Sequence, residues 1–195
     1  MKSLNLLELK SIIKSFIKKR NEIWDIIVYG SFVRGKETAR DIDFAIILQK
    51  DISLDKKLKL AQEIKEILEK KIKEYKIDVK TIDIYDFLDA GFLARQGILA
   101  EGYSILKNMY LHDFLGFKAK AIIKYELKGL SPSNKKMLYY ALKGRRGSKG
   151  FLEEIGGKLI SKNVLEVPIK YYHKIEQIML LHKVAFKSEF GMFYK

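Results

Sequence analysis

The chain has 195 residues, 48% of them apolar, with 2 prolines and no cysteine. That length supports one substantial core or two small ones, and the lack of cysteine excludes disulfides, thiolate catalysis and cysteine-zinc sites. The formal charge is +14 and unevenly spread: residues 1–110 carry 21 basic and 17 acidic residues, a net of +4, whereas 111–195 carry 17 and 7, a net of +10. A polyanionic partner such as nucleic acid is therefore expected for the second part. The histidines, His112, His173 and His182, are scattered and have no metal-ligand spacing. No stretch reaches the roughly 18 consecutive apolar residues that span a bilayer, and the N-terminus lacks the pattern of a secretory signal. A cytoplasmic protein without a membrane partner is expected.

In chain order, Leu6, Leu9, Ile13, Phe16 and Ile17 recur at helical spacing, so 4–20 is predicted to be an amphipathic helix. Ile26 to Tyr29 is a short β-branched run that stops at Gly30 and is predicted to be a buried strand. Residues 31–40 are polar and irregular. A second strand is expected at Asp41–Leu48, and a long helix through Leu54, Leu58, Ala61, Ile64, Leu68 and Ile72. A third strand follows at Ile77–Ile84, a helix at 85–101 and a short strand at 103–106. This order describes an α+β fold, a mixed sheet with packed helices.

A boundary is expected near 110, giving a first domain over 1–110 and a small basic α/β domain over 111–195. Within the second, helices are predicted at 113–128 and 133–143. A glycine-rich basic loop, Gly144 to Gly150, then leads to a short helix at 151–156 and a strand at 159–167. Pro168 opens a helix running to His182, and 184–194 alternates as a strand with Val184, Phe186, Phe190, Met192 and Tyr194 on one side.

The chemistry concentrates in Tyr29-Gly30-Ser31-Phe32-Val33-Arg34-Gly35 and Asp41-Ile42-Asp43. Side chains two apart on a strand share a face, so Asp41 and Asp43 present two carboxylates side by side. Crowded carboxylates repel each other, and a hard divalent cation such as magnesium, completed by water and substrate phosphate, relieves that cost. Gly30 allows close backbone approach to a ligand. Amides from Ser31 onward, the Ser31 hydroxyl and the Arg34 guanidinium are candidate ligands for phosphates. Asp78, an acid between Ile77 and Val79 of a predicted strand, is the best third carboxylate. Asp83 and Asp86 are rivals at the strand's end, where helix-capping acids are ordinary.

Gly-Ser, a spacer, Asp-x-Asp and a later strand aspartate resemble the DNA polymerase beta-type nucleotidyltransferase superfamily. The Gly-Ser-Phe-Val-Arg-Gly form is similar to its minimal, stand-alone branch. The resemblance covers residues 1–110, including Gly102-Tyr103-Ser104-Ile105-Leu106. It implies that the Gly30-Ser31 turn binds a nucleoside triphosphate. It also implies that Asp41 and Asp43 hold two magnesium ions, and that Asp78 binds the catalytic metal or activates the attacking hydroxyl. The spacer from Phe32 to Arg40 is one residue shorter than the common form. The expected reaction is attack by a hydroxyl on the α-phosphate, releasing pyrophosphate.

Arg145, Arg146 and Lys149 in the glycine-rich loop are candidate nucleic-acid contacts, with Tyr139, Tyr140, Tyr171 and Tyr172 nearby as candidate stacking groups. The loop lacks the Gly-Lys-Ser/Thr ending of a P-loop. The expected acceptor is nucleic acid, RNA ahead of DNA. Two alternatives stand beside it: transfer to a protein, as in antitoxins of the minimal branch, and a non-catalytic nucleic-acid-binding module.

Overall fold

A computed structural model describes residues 6–34, 39–145 and 147–195, with side chains from Leu9 onward. The chain divides into two compact units, Met1–Leu115 and Gly116–Lys195.

The first unit is built on a five-stranded sheet in the order β3-β2-β1-β4-β5. Helix α1 (Leu6–Lys18) leads into β1 (Ile23–Tyr29), which pairs antiparallel with β2 (Asp41–Leu48). Helix α2 (Leu54–Lys71) then crosses over to β3 (Lys76–Ile82), parallel to β2. β1 and β2 are almost wholly apolar because both faces are covered, as in parallel-type sheets. One face buries Ile26, Val28, Ile42, Phe44 and Ile46 under Leu9, Ile13 and Phe16 of α1 and Leu60, Ile64 and Leu68 of α2. The other carries Ile27, Tyr29, Ala45, Ile47 and Ile82.

The single helix expected at 85–101 is two pieces, α3 (Ile84–Leu88) and α4 (Ala94–Glu101), parted by a turn around Gly91. Ile98 of α4 closes the second face of the sheet, with Leu111 of α5 (Leu111–Phe114). Short strands β4 (Tyr103–Ser104) and β5 (Met109–Tyr110) complete that edge. A fully buried Asp25 ties β1 to it, accepting from the Ser104 hydroxyl and the Lys107 ammonium, each at 2.7 Å.

Asp83 turns the chain from β3 into α3. Its side chain accepts from the N–H groups of Tyr85 (2.8 Å) and Asp86 (3.1 Å), and from Lys57. Asp86 returns a bond to the Asp83 N–H, completing a capping box. Burial alone pushes the Asp83 carboxyl up, but the Lys57 and backbone donors outweigh it and hold it below the usual range. Because the folded value is depressed, the cap contributes fully above the unfolded value and is lost as pH falls through the folded one. Asp83→Ala is expected to cost about 1–2 kcal/mol at neutral pH. Urea titrations should show that deficit shrinking toward zero in strong acid; an equal deficit at all pH values would refute the assignment.

The second unit is a four-stranded antiparallel sheet in the order β7-β8-β6-β9. Here the predicted helix at 113–128 gives way to a strand, β6 (Phe117–Glu126). Phe117, Ala119, Ala121, Ile123 and Tyr125 alternate with Lys118, Lys120, Ile122 and Lys124, a period of two that fits a sheet with one covered face. The strand expected at 159–167 is a hairpin, β7 (Lys158–Ser161) and β8 (Val164–Pro168). Helices α6 (Pro132–Lys143), α7 (Phe151–Glu154) and α8 (Tyr172–Leu181) cover the apolar face, packing Leu138, Leu142, Leu152, Ile175 and Met179 on Ala121, Ile123 and Leu165. The last strand is β9 (Ala185–Tyr194). Among the described residues no helix is long and apolar enough to cross a membrane.

Candidate active site

Strand register gathers the acidic residues. Asp43 stands opposite Tyr29 across the antiparallel β1–β2 ladder and opposite Asp78 across the parallel β2–β3 ladder. Asp41 lies two residues before Asp43, so all three acids share the sheet face that bears Ala45, Ile47 and Ile82. Asp41 is exposed, while Asp43 and Asp78 are partly buried. The sequence therefore places a row of carboxylates where two apolar strands begin, at the open rim of a covered sheet.

The electrostatics follow from that crowding. Burial pushes the Asp43 carboxyl above the usual carboxylate range, and the charges of Asp41 and Asp78 push it further. Lys80 and Arg34 oppose the shift without cancelling it. Lys80 lies 3.6 Å from Asp78. The Tyr29 hydroxyl is buried with no hydrogen-bond partner among the described residues, and burial with Asp43 and Asp78 nearby pushes its acidity far below that of an ordinary phenol.

Gly30 ends β1 at φ +81°, a left-handed conformation that favours glycine. A Cβ there would stand 2.5 Å from Asp43 Oδ2, so any side chain would push into the acidic row. Residues 31–34 form one helical turn, closed by the Arg34 N–H donating to the Gly30 carbonyl at 3.3 Å. Ser31 is partly exposed on it. Gly35 lies outside the described residues.

Arg34 has a protein partner: its Nη1 donates to Glu101 Oε1 at 2.9 Å. Glu101, at the end of α4, is 5% exposed, and its carboxyl is pushed up by burial and held back by Arg34. The Arg34 Nε is buried and has no partner among the described residues. Glu101, Tyr29 and Lys80 are neighbours of the acidic row that sequence reasoning did not single out. An acid directly before Gly102 in an otherwise apolar stretch was the only available sign of Glu101.

The glycine-rich loop belongs to the second unit. Arg145 is exposed and lies 4.7 Å from the Tyr140 ring centroid. Lys149 is exposed and pairs with Glu153 at 3.4 Å. Arg146 lies outside the described residues.

The donor set fits magnesium. Its oxygens are hard, its carboxylates are crowded enough to raise a pKa, and the adjoining glycine leaves space beside Asp43. Among the described residues no group of three or more acidic or histidine side chains is placed so as to hold a metal ion in a protein cage by itself. Magnesium does not need one, since it keeps waters and takes substrate oxygens.

The carboxylate row thus stands at a strand rim beside a glycine turn. Residues 11–108 match the family described as polymerase beta, nucleotidyltransferase, and the chain belongs to that family. No curated protein sequence is similar enough to count as a match. Among solved structures, similarity is found to a toxin–antitoxin complex with AMP-PNP: 18% identity over 52% of this chain and 73% of that one, TM-score 0.36. A mutant of the toxin–antitoxin MntA-HpeT is similar at 18% identity over 52% and 72%, TM-score 0.35. The complex of tri-AMPylated Shewanella oneidensis HEPN toxin with MNT antitoxin is similar at 20% identity over 54% and 71%, TM-score 0.33.

Proposed function

We propose that this nucleotidyltransferase moves a nucleoside monophosphate from a nucleoside triphosphate to an acceptor hydroxyl, that it requires magnesium, and that its acceptor is nucleic acid, RNA ahead of DNA. In this reading the first unit is catalytic and the second binds the acceptor. The observation that carries it is the shared register of Asp41, Asp43 and Asp78 beside Gly30.

Asp41, Asp43 and Asp78 would hold magnesium, two ions in the two-metal arrangement, supplying charge neutralisation for the phosphates and a lowered pKa for the attacking hydroxyl. The acceptor oxygen forms a bond to the α-phosphorus as the bond to the bridging oxygen breaks. The hydroxyl proton passes to Asp78 or to water, and pyrophosphate leaves with the electron pair of the broken bond. Gly30 and Ser31 offer backbone and hydroxyl contacts to the triphosphate. Arg34, oriented by Glu101, sets a fixed positive charge beside the row. Covering helices keep water from the sheet face behind it.

The +10 balance of residues 111–195 supports a nucleic-acid acceptor. Protein is the rival acceptor, because the similar MNT complex contains an AMPylated toxin. Each of the four α-labelled triphosphates, incubated with the chain, magnesium, total RNA and cell lysate, separates these. Label in RNA is expected. Label in protein reassigns the acceptor, and label in neither with any triphosphate overturns the enzymatic reading.

A further inference from the structure

From Leu127 to Leu152 the chain carries seven lysines and arginines and no acidic residue. Much of this stretch is α6, and its outward side is not an ordinary solvated helix surface. Met137 is 54% exposed and Tyr139 is 58% exposed. Together with Ser133, Lys136, Tyr140 and Arg145 they line an open groove of about 890 Å³.

Two cations of this groove share one ring. Lys136 lies 5.7 Å and Arg145 4.7 Å from the Tyr140 ring centroid, both within cation–π range. Arg145 stands on a loop that closes tightly on itself. Gly144 has φ +81°, and a Cβ there would lie 2.3 Å from the Ser148 carbonyl oxygen. A Cβ on Gly150 would lie 2.1 Å from the Lys143 carbonyl carbon. Across the loop the Arg145 N–H donates to Ser148 Oγ, and the Ser148 N–H to the Arg145 carbonyl, each at 3.0 Å. Tyr139 meets Tyr140 edge-on at 6.2 Å and keeps its own ring available to a ligand.

Cations beside an exposed aromatic ring, with no acid within the stretch, match a strand that offers phosphates and unpaired bases together. A duplex keeps its bases stacked inside and offers the tyrosine nothing. We propose that this groove on α6 binds single-stranded nucleic acid, with Lys136 and Arg145 on phosphates and Tyr139 under a base. This deepens the acceptor reading and rests on it only for what the bound strand is for.

The test uses the full chain without nucleoside triphosphate and follows the anisotropy of a fluorescein-labelled oligouridylate, its thymidylate counterpart, and an RNA duplex of equal length. Both single strands are expected to bind, the tighter one showing which sugar the site prefers, and the duplex more weakly. The variant Lys136→Ala/Tyr139→Ala/Arg145→Ala is expected to bind the single strand at least tenfold more weakly, since one lost stack alone costs roughly that factor. Its salt slope should fall by roughly 1.4, for two phosphates no longer neutralised. All three side chains are exposed, so thermal unfolding should be unchanged. The control Lys124→Ala/Lys187→Ala removes the same charge from the opposite face of the sheet and should keep near-parental affinity. Absent single-strand binding, an equal loss in the control, or duplex binding as tight as the single strand overturns the site. Label passing to protein would overturn only the acceptor reading, because binding here is measured without transfer.

Discussion

Asp43→Asn, and more completely Asp41→Asn/Asp43→Asn, is expected to abolish nucleotidyl transfer while leaving the fold intact and slightly more stable. The two effects have one cause. Asp43 stands opposite Asp78 and two residues from Asp41, and burial together with those charges raises its pKa. In the protein without cations this repulsion opposes folding. A neutral isostere removes it, and removes with it the ligand charge that catalysis needs. The loss in rate should be a thousandfold or more, on the order of 4 kcal/mol of transition-state stabilisation. Magnesium should raise the unfolding temperature of the parent chain and not of the double variant, a readout independent of turnover. Transfer that survives in the double variant would reject the site. A variant that fails to fold would show instead that the carboxylates hold the structure together, contrary to the crowding on their sheet face.

How much of this was legible in the sequence depended on whether the deciding interactions were local. β2 was readable to the residue, because Asp41 opens an apolar run that the polar Gln49-Lys50-Asp51 closes. The shared face of Asp41 and Asp43 follows from the period of a strand alone. The position of Asp78 needed only a second strand in parallel register, which a crossover helix of α2's length allows. Residues 117–126 were misread because lysine and alanine are good helix formers, and Ile122-Ile123 blurs the alternation. Their strand state is decided by β8 and β9, more than 35 residues away, which pair along both edges of β6. The Arg34–Glu101 bond joins residues 67 apart, and no local pattern announces such a pairing.

That bond makes Arg34 as important to stability as to the site. Arg34→Ala is expected to destabilise the protein by about 3 kcal/mol at neutral pH, since it strands a buried carboxylate. Glu101 is 5% exposed, and Arg34 supplies both the opposing charge and the hydrogen bond that hold its pKa down. Without Arg34, burial acts unopposed and the folded-state pKa rises further above the unfolded one. A group shifted this way costs folding free energy above its folded pKa and costs nothing below its unfolded one. The deficit of Arg34→Ala should thus be greatest near neutrality and narrow steadily as acid protonates Glu101. Urea titrations across that range read it directly, and a deficit independent of pH would dismiss the ion pair as its source. Glu101→Gln placed on top of Arg34→Ala should recover part of the lost stability, because a neutral amide is cheaper to bury than an unpaired carboxylate. It should recover none of the transfer rate, since the positive charge beside Asp43 is absent in both. The two readouts thus separate the structural part of Arg34 from its electrostatic part within one pair of variants.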